Sequence, residues 1–345
     1  VNSNSIPMED GRVTSAKEGV LPSSASVWGQ YALAMLACLA VMLALTGNSY
    51  WLNIICWTFL MAGLAGAWNI IAGFGGQFSL AHGVFMGIGA YTTLLLYTKL
   101  GISPWFGLIA GAALAALCSV PISWPTFRLR GPFFAIATVA LNQIAFVLVN
   151  YSEGLTGGPR GILVPFRASF ANMIFIERWK YALLMLAFMA IVTAVAVFVR
   201  RSRLGFQLLA VREDEDAARA AGIDVLATKL RGMALSAALT GAGGGLFAMY
   251  LRFVDPPTVF NLVEVAVKFA LLTLVGGLGT VAGPIIGAAV LIPLENYLQG
   301  VLGGIIPGSH LVVFGTIMVI FALFMRRGII GAIDSLLKMR GGRKQ

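Results

Sequence analysis

The side chains that most often do chemistry are scarce in this 345-residue chain and poorly spaced for it. Its two histidines, His82 and His310, are too far apart to form a motif. The three cysteines, Cys38, Cys56 and Cys118, lie in apolar stretches with no CxxC or Cys/His spacing for a metal, so they read as packing residues. No GxxxxGK(S/T), GxSxG or HExxH pattern occurs, so no P-loop, nucleophile elbow or zinc-protease motif is present. A few ionisable residues fall inside or beside apolar stretches, where a charge is expensive and is a functional candidate by default. Glu264 and Lys268 are one helical turn apart and read as an interfacial ion pair at the external end of a helix. Glu295 also reads as interfacial, and His82 reads first as a hydrogen-bonded packing residue and second as part of a path.

The elements that hold these residues are membrane helices. Hydrophobic residues make up 59% of the chain and charged residues 11%, and mean hydropathy is +0.88. A soluble fold would leave too much apolar surface in water. Stretches of the roughly 20 apolar residues that a bilayer requires recur, with expected spans at Trp28 to Gly47, Trp51 to Gly73, Ser79 to Thr98, Pro104 to Trp124, Pro132 to Asn150, Trp179 to Val199, Gly232 to Leu251, Glu264 to Leu278, Val281 to Leu298 and Pro307 to Met325. The expected fold is therefore an all-α, polytopic integral membrane helix bundle of about ten transmembrane segments. It divides into a cytoplasmic N-terminal tail (1–27), a transmembrane domain (28–325) with a charged loop at 200–231, and a basic cytoplasmic C-terminal tail (326–345). The polar tail reads as such and not as a signal peptide, because it has no apolar core.

Charge sets the orientation. Two Lys or Arg residues fall in the N-terminal tail, two in the Trp124 to Gly131 turn, seven in the charged loop and six after Met325, which is most of the 24. That side is expected to be the cytoplasm. The net charge of +10 is then a topology signal that favours lipid headgroups, with no base-reading module to suggest nucleic acid.

Glycine, at 41 residues, shapes the spans. Gly83 and Gly87, Gly107 and Gly111, Gly241 and Gly245, and Gly283 and Gly287 are each four apart, which predicts helix faces that pack closely. In Gly73 to Gly83 and in Gly276 to Pro284 glycine instead interrupts the apolar pattern. A helix broken there leaves backbone groups that must be buried in protein or line a wet cavity, and paired breaks point to a translocation path. A pair of ordinary tight turns is the plainer reading. The loop carries its own helix signal, with carboxylates at Glu213 to Asp216 for a helix N-terminus, an alanine-rich run and Gly222 as a left-handed stop.

Several segments, in one order, resemble a known family: Asn69 to Gly73 leading into Gly76 to Gly83, Gly87 to Tyr91, Arg130 to Thr138, Thr156 to Ile162, Arg212 to Ile223 and Gly276 to Gly287. The chain is similar to the permease subunits of bacterial ABC importers of the branched-chain amino acid type, and is LivM-like. The resemblance runs from about Trp51 to the C-terminal tail. It implies that the short helix around Asp216 to Gly222 is a coupling helix that docks on an ATPase. Aspartate stands there in place of the usual glutamate, and the usual I-x-L-P ending is missing.

The resemblance implies a non-catalytic permease that works with a second, LivH-like permease subunit, two ATPase subunits and an extracytoplasmic binding protein. Its cargo would be a branched-chain or other small amino acid. No cofactor is expected on this chain, with ATP and Mg on the partner subunits. The expected location is the bacterial inner membrane, multi-pass, with both termini cytoplasmic. Glu213, Glu215, Asp216, Ala217, Ala218, Arg219 and Gly222 are the candidates for coupling to the ATPase. Asn69, Gln77, Ser79, His82 and Thr280 are the polar candidates for the path. The alternative is an ion-coupled secondary transporter in which His82, Glu264 and Glu295 relay protons or sodium. A membrane-embedded enzyme ranks third, for want of a clustered nucleophile, base or metal set.

Overall fold

The computed structural model describes residues 24–302, 311–316 and 328–332, which are predominantly helical. In chain order the elements are α1 (Ser24–Ala44), α2 (Ser49–Asn69) continued by a π-helical turn (Ile70–Phe74), α3 (His82–Leu100), α4 (Pro104–Thr126), α5 (Pro132–Tyr151), the short α6 (Glu153–Thr156), β1 (Ile162–Leu163), α7 (Arg178–Arg201), α8 (Arg203–Glu213), α9 (Glu215–Ala220), α10 (Val225–Leu251), β2 (Phe253–Val254), α11 (Pro256–Val259), a second π-helical turn (Leu262–Val267), α12 (Lys268–Gly276) and α13 (Gly283–Leu302). The two short strands pair antiparallel, Ile162 opposite Val254.

Among the described residues, seven helical stretches are long and apolar enough to cross a bilayer: Ser49–Phe74, Pro104–Thr126, Pro132–Tyr151, Arg178–Arg201, Val225–Leu251, Pro256–Gly276 and Gly283–Leu302. The protein is an all-α, polytopic membrane protein. The apolar part of α1 is shorter, Tyr31–Ala44, and α3 is not one of the seven. The expected span Pro307 to Met325 and both tails lie largely or wholly outside the described residues, although 311–316 is helical and α1 already starts at Ser24.

The centre of the bundle is α2, whose apolar stretch is 89% buried and which packs against α7, α10, α12 and α13. On one side α10 packs on α3 and α4 at backbone distance. A Cβ at Gly89 of α3 would run into the Gly241 carbonyl of α10, and one at Gly111 of α4 would lie 3.0 Å from the Gly89 Cα. Without a hydrophobic drive between helices in lipid, close contact of this kind supplies the association. On α5 the usual polarity is inverted. Phe134, Thr138 and Asn142 are buried while Phe133, Ile136, Ile144 and Leu148 are exposed. Thr138 Oγ1 accepts from the Leu80 N-H at 2.9 Å, and Asn142 Nδ2 donates to the Phe260 carbonyl at 2.7 Å. An apolar outer face with polar groups turned inward is what hydrocarbon surroundings select.

The Gly89 contact gives a test. Gly89→Leu has backbone on the far side with no flexible atom to yield, so it should cost more than the ~1 to 3 kcal/mol of ordinary overpacking. Purification in detergent should give a sharp loss of monodisperse protein, whereas Gly29→Leu, which meets open space, should purify like the parent.

Candidate functional site

The charged segment between Arg200 and Arg231 folds into more helix than its composition suggests. Three N-caps in succession build it. The Ser202 hydroxyl accepts from the Gly205 N-H at 3.3 Å, Asp214 Oδ1 from Asp216 and Ala217 at 2.8 and 2.9 Å, and Asp224 Oδ1 from Ala227 at 2.9 Å. So α8 and α9 replace the expected loop with its single short helix, and α10 begins at Val225, two turns before the expected Gly232. A small apolar cluster of Val211, Ala218 and Val225 fastens the three helices. Gly222 ends α9 with φ +83, as its type predicts.

Ion pairs tie α9 to its neighbours. Arg130, in the turn between α4 and α5, forks onto both Asp216 carboxylate oxygens at 3.1 and 2.9 Å, and its Nε lies 3.8 Å from Glu215. A bidentate pair of this kind fixes orientation as well as position. Hydrogen bonding from Arg130, with its charge, holds the Asp216 carboxyl below its usual range. The tie is therefore fully present above the ordinary carboxylate pKa, and it is lost only as pH falls through the lowered value. Glu215 also pairs with Lys229 of α10, whose side chain is 1% exposed, and Lys229 Nζ sits 5.8 Å from the Phe127 ring centroid.

The seven expected coupling residues therefore divide. Ala218 is buried against Val211 and Val225, so it positions α9 and offers no contact surface. Glu215 is turned toward Lys229. Glu213, Asp216, Ala217, Arg219 and Gly222 are exposed, and so are Ala220 and Ala221.

From α8 the structure leads to the two glycine segments, which meet. The guanidinium of Arg212 donates to the Gly73 carbonyl at 2.7 Å. Its side chain fills the space where a Cβ at Gly76 or Gly279 would stand, 2.9 Å from Cγ and 2.7 Å from Nη1 respectively. Asn69, 1% exposed, clasps the second segment at both ends of its amide: Nδ2 donates to the Thr280 carbonyl at 2.8 Å, and Oδ1 accepts from the Gly279 N-H at 3.0 Å. The Thr280 hydroxyl donates to the Gly277 carbonyl at 2.7 Å and accepts from the Gly283 N-H at 3.0 Å, which caps α13.

Both segments are connections between successive helices, α2 to α3 and α12 to α13, and neither is an interruption within one helix. The first still carries irregular backbone into the bundle. After Gly76, at φ +69, the chain runs back beside α2, where Trp68 Nε1 donates to the Ser79 carbonyl at 2.7 Å. His82 then opens α3 with Nε2 2.8 Å from the Ser236 hydroxyl, which itself donates to the Ala67 carbonyl at 2.7 Å. Nδ1 has no hydrogen-bond partner among the described residues.

The five expected path residues thus divide as well. Asn69 and Thr280 are joined. Ser79 and His82 are fully buried, each held by a different neighbour, and Gln77 donates to the Gly75 carbonyl at 3.3 Å. None of the five lines either of the two cavities beside Lys268 of α12. Among the described residues no group of His, Cys, Asp or Glu is placed to hold a metal. Glu264 pairs with Lys268 as its spacing predicts, and Lys268 also reaches Glu295 of α13 at 2.8 Å. Sequence reading missed that last pairing, and it missed the roles of Arg212, Lys229 and Trp68. Only Arg212 carried a signal, since it opens the acidic motif before α9.

The family model for the branched-chain amino acid transport system / permease component matches residues 50–322. The chain is 29% identical over 297 residues to the high-affinity branched-chain amino acid transport system permease protein LivM of Escherichia coli K12, covering 79% of this chain and 68% of that protein. It is 27% identical over 253 residues to the probable branched-chain amino acid transport permease protein LivH of Methanocaldococcus jannaschii, covering 70% and 77%. No solved structure matches.

The Arg212 contact can be tested directly. Arg212→Met leaves the Gly73 carbonyl without its charged donor, a loss of about 1 to 3 kcal/mol. Amide hydrogen exchange should quicken about tenfold in residues 73–79 and 276–283 while the interior of α7 stays protected. Unchanged exchange in both glycine segments would show that Arg212 does not hold them.

Proposed function

The chain belongs to the family of branched-chain amino acid transport system permease components, and from that premise we propose how its geometry serves import. It is a LivM-like permease subunit of an ABC importer in the inner membrane. The proposed cargo is leucine, isoleucine, valine or another small amino acid delivered by an extracytoplasmic binding protein. A LivH-like permease completes the pathway, and two ATPases beneath it supply ATP hydrolysis with Mg. This chain contributes no catalytic group and needs no cofactor of its own. In this reading ten spans cross the membrane, both termini are cytoplasmic, and α8 and α9 face the ATPases.

The observation that carries the proposal is the unbroken line of contacts from α9 to the glycine junction. Asp216 and Glu215 bind Arg130 and Lys229, Ala218 packs on Val211, and Arg212, the next residue, holds Gly73. A push on α9 therefore moves α8 as a rigid piece and loads the point where α2 and α12 are clasped by Asn69. Ala217, Ala220, Ala221 and Gly222 form a low, exposed surface that lets another protein approach the backbone closely. Asn69 and Thr280 then act as a gate at one end of the helices, with Gln77, Ser79 and His82 supporting it. The ion-coupled reading is not favoured, because the relatives are permease components of this transport system.

Two measurements test this. Ala217→Arg and Ala221→Trp add bulk to the exposed face of α9 and leave its packed face intact. Each should cost about 2 kcal/mol or more of ATPase docking, so that the permease inserts normally but loses its co-purifying ATPases and its uptake. Retention of both at parental levels would make α9 a simple connection. For orientation, cysteine replacing Ala220 in a cysteine-free background should resist an impermeant thiol reagent added to intact cells, and cysteine replacing Ser169 should react. Labelling at 220 from outside would reverse the orientation.

A further inference from the structure

A cavity of about 500 Å³ lies between α2, α10, α12 and α13, among walls that include Trp57, Met61, Phe247 and Ile292 as well as Glu264, Lys268, Glu295 and Asn296. Its volume falls in the range of small-molecule sites. A second cavity of about 410 Å³ shares Glu264, Lys268 and Glu295 with it and is otherwise largely apolar, lined by residues such as Leu272, Leu291 and Phe314. The three charged groups form one cluster between the two. Lys268 and Glu295 are mostly buried, at 15% and 17% side-chain exposure, and Glu264 is more open at 45%.

Two carboxylates surround one ammonium, so the cluster keeps an excess negative charge within an apolar span. Charges of both signs are thus presented at the wall of a largely apolar cavity, where an ionisable cluster is a functional candidate by default. A free α-amino acid has the required complement. Its ammonium would be received by the carboxylates and its carboxylate by Lys268, and its own two charges cancel. An aliphatic side chain has Trp57, Met61, Phe247 and Ile292 to bury against. We propose that this cavity is a binding site for a zwitterionic, apolar α-amino acid, held at its two charged ends by Glu295 and Lys268 with Glu264 at the more exposed rim.

The site's position joins it to the gate. Met61 and Lys268 line the cavity, and Asn69 and Gly276 lie eight residues further along the same two helices, about 12 Å at helical rise. The clasp between Asn69 and the Gly279 to Thr280 backbone thus closes the far end of the helices that wall the cavity. Separation of the clasp lets α2 and α12 part beneath the bound molecule.

The proposal rests on the importer reading and adds the site. Lys268→Met, Glu295→Gln and the double variant would be reconstituted in vesicles with the partner permease and ATPases. Uptake of tritiated leucine, isoleucine and valine would be measured beside the ATP hydrolysis that loaded binding protein stimulates. All three should hold stimulated hydrolysis within about twofold of the parent while uptake falls about tenfold or more. The double variant removes both mostly buried charges together and leaves only Glu264, which is 45% exposed, so it should assemble even if a single variant does not. Parental uptake by the double variant would overturn the proposal and leave the cluster as an internal ion pair. So would a parallel loss of uptake and stimulated hydrolysis in the assembled double variant, because the residues would then serve assembly or coupling. Failure of the parent complex to take up any of the three amino acids would instead strike the importer reading itself.

Discussion

Two stretches of glycine-rich backbone meet at one end of the helix bundle, and one asparagine and one arginine satisfy much of their hydrogen bonding. Asn69 supplies both a donor and an acceptor to the Gly279 to Thr280 backbone. Arg212 arrives from a different helix to hold the Gly73 carbonyl. Glycine is required at these places because the space of each missing Cβ is taken: at Gly73 by the Asn69 amide, and at Gly279 by the Arg212 guanidinium. The small residues and the two polar side chains are therefore a single design. Removing Asn69, which is 1% exposed, would leave its backbone partners at Gly279 and Thr280 unpaired, and removing Arg212 would free the Gly73 carbonyl.

The interior of the bundle is largely apolar, and polar side chains within it bond to neighbouring backbone. On α5 the buried residues include Thr138 and Asn142, both bonded to neighbouring backbone, while phenylalanine, isoleucine and leucine face outward. Ser236 and His82 likewise hold the start of α3 to α2 by a chain of hydrogen bonds to the Ala67 carbonyl. Where α3, α4 and α10 need to touch, they meet through Gly89, Gly111 and Gly241. Apolar burial does not distinguish one helix neighbour from another in lipid, so backbone proximity and interior hydrogen bonds do.

This explains what could be read from the chain and what could not. Apolar length located the helices well, since hydropathy reports directly on the surrounding solvent. The acid-rich start and glycine stop of α9 were legible because capping is local chemistry. The extra turns of α10 and the whole of α8 were hidden because their inward residues, Leu208, Val211 and Val225, are few among many charges, and the segment reads as a solvated connection. The two glycine segments were singled out by composition, yet nothing local says that they touch, since Asn69 and Thr280 are far apart in sequence. The pairing of Lys268 with Glu295 was invisible for the same reason, and only the Glu264 partner, one turn away, could be named.

The same contacts weigh against an ion relay through His82, Glu264 and Glu295. A relay needs its groups within hydrogen-bond reach of one another or of a shared chain of water. His82 is held beside Ala67 of α2, whereas Glu264 and Glu295 both engage Lys268 beside the part of α2 that carries Trp57 and Met61. Six to ten residues of α2 separate the two places, about 9 to 15 Å along the helix, and the intervening side chains Leu64 and Ala65 are fully buried apolar groups. A proton on one of these residues has no polar route to the other along α2. What does connect the two levels is mechanical: α2 itself, which walls the cavity at one end and carries Asn69 at the other. In the proposed reading, movement of that helix would carry a change at α9 to a molecule bound near Lys268.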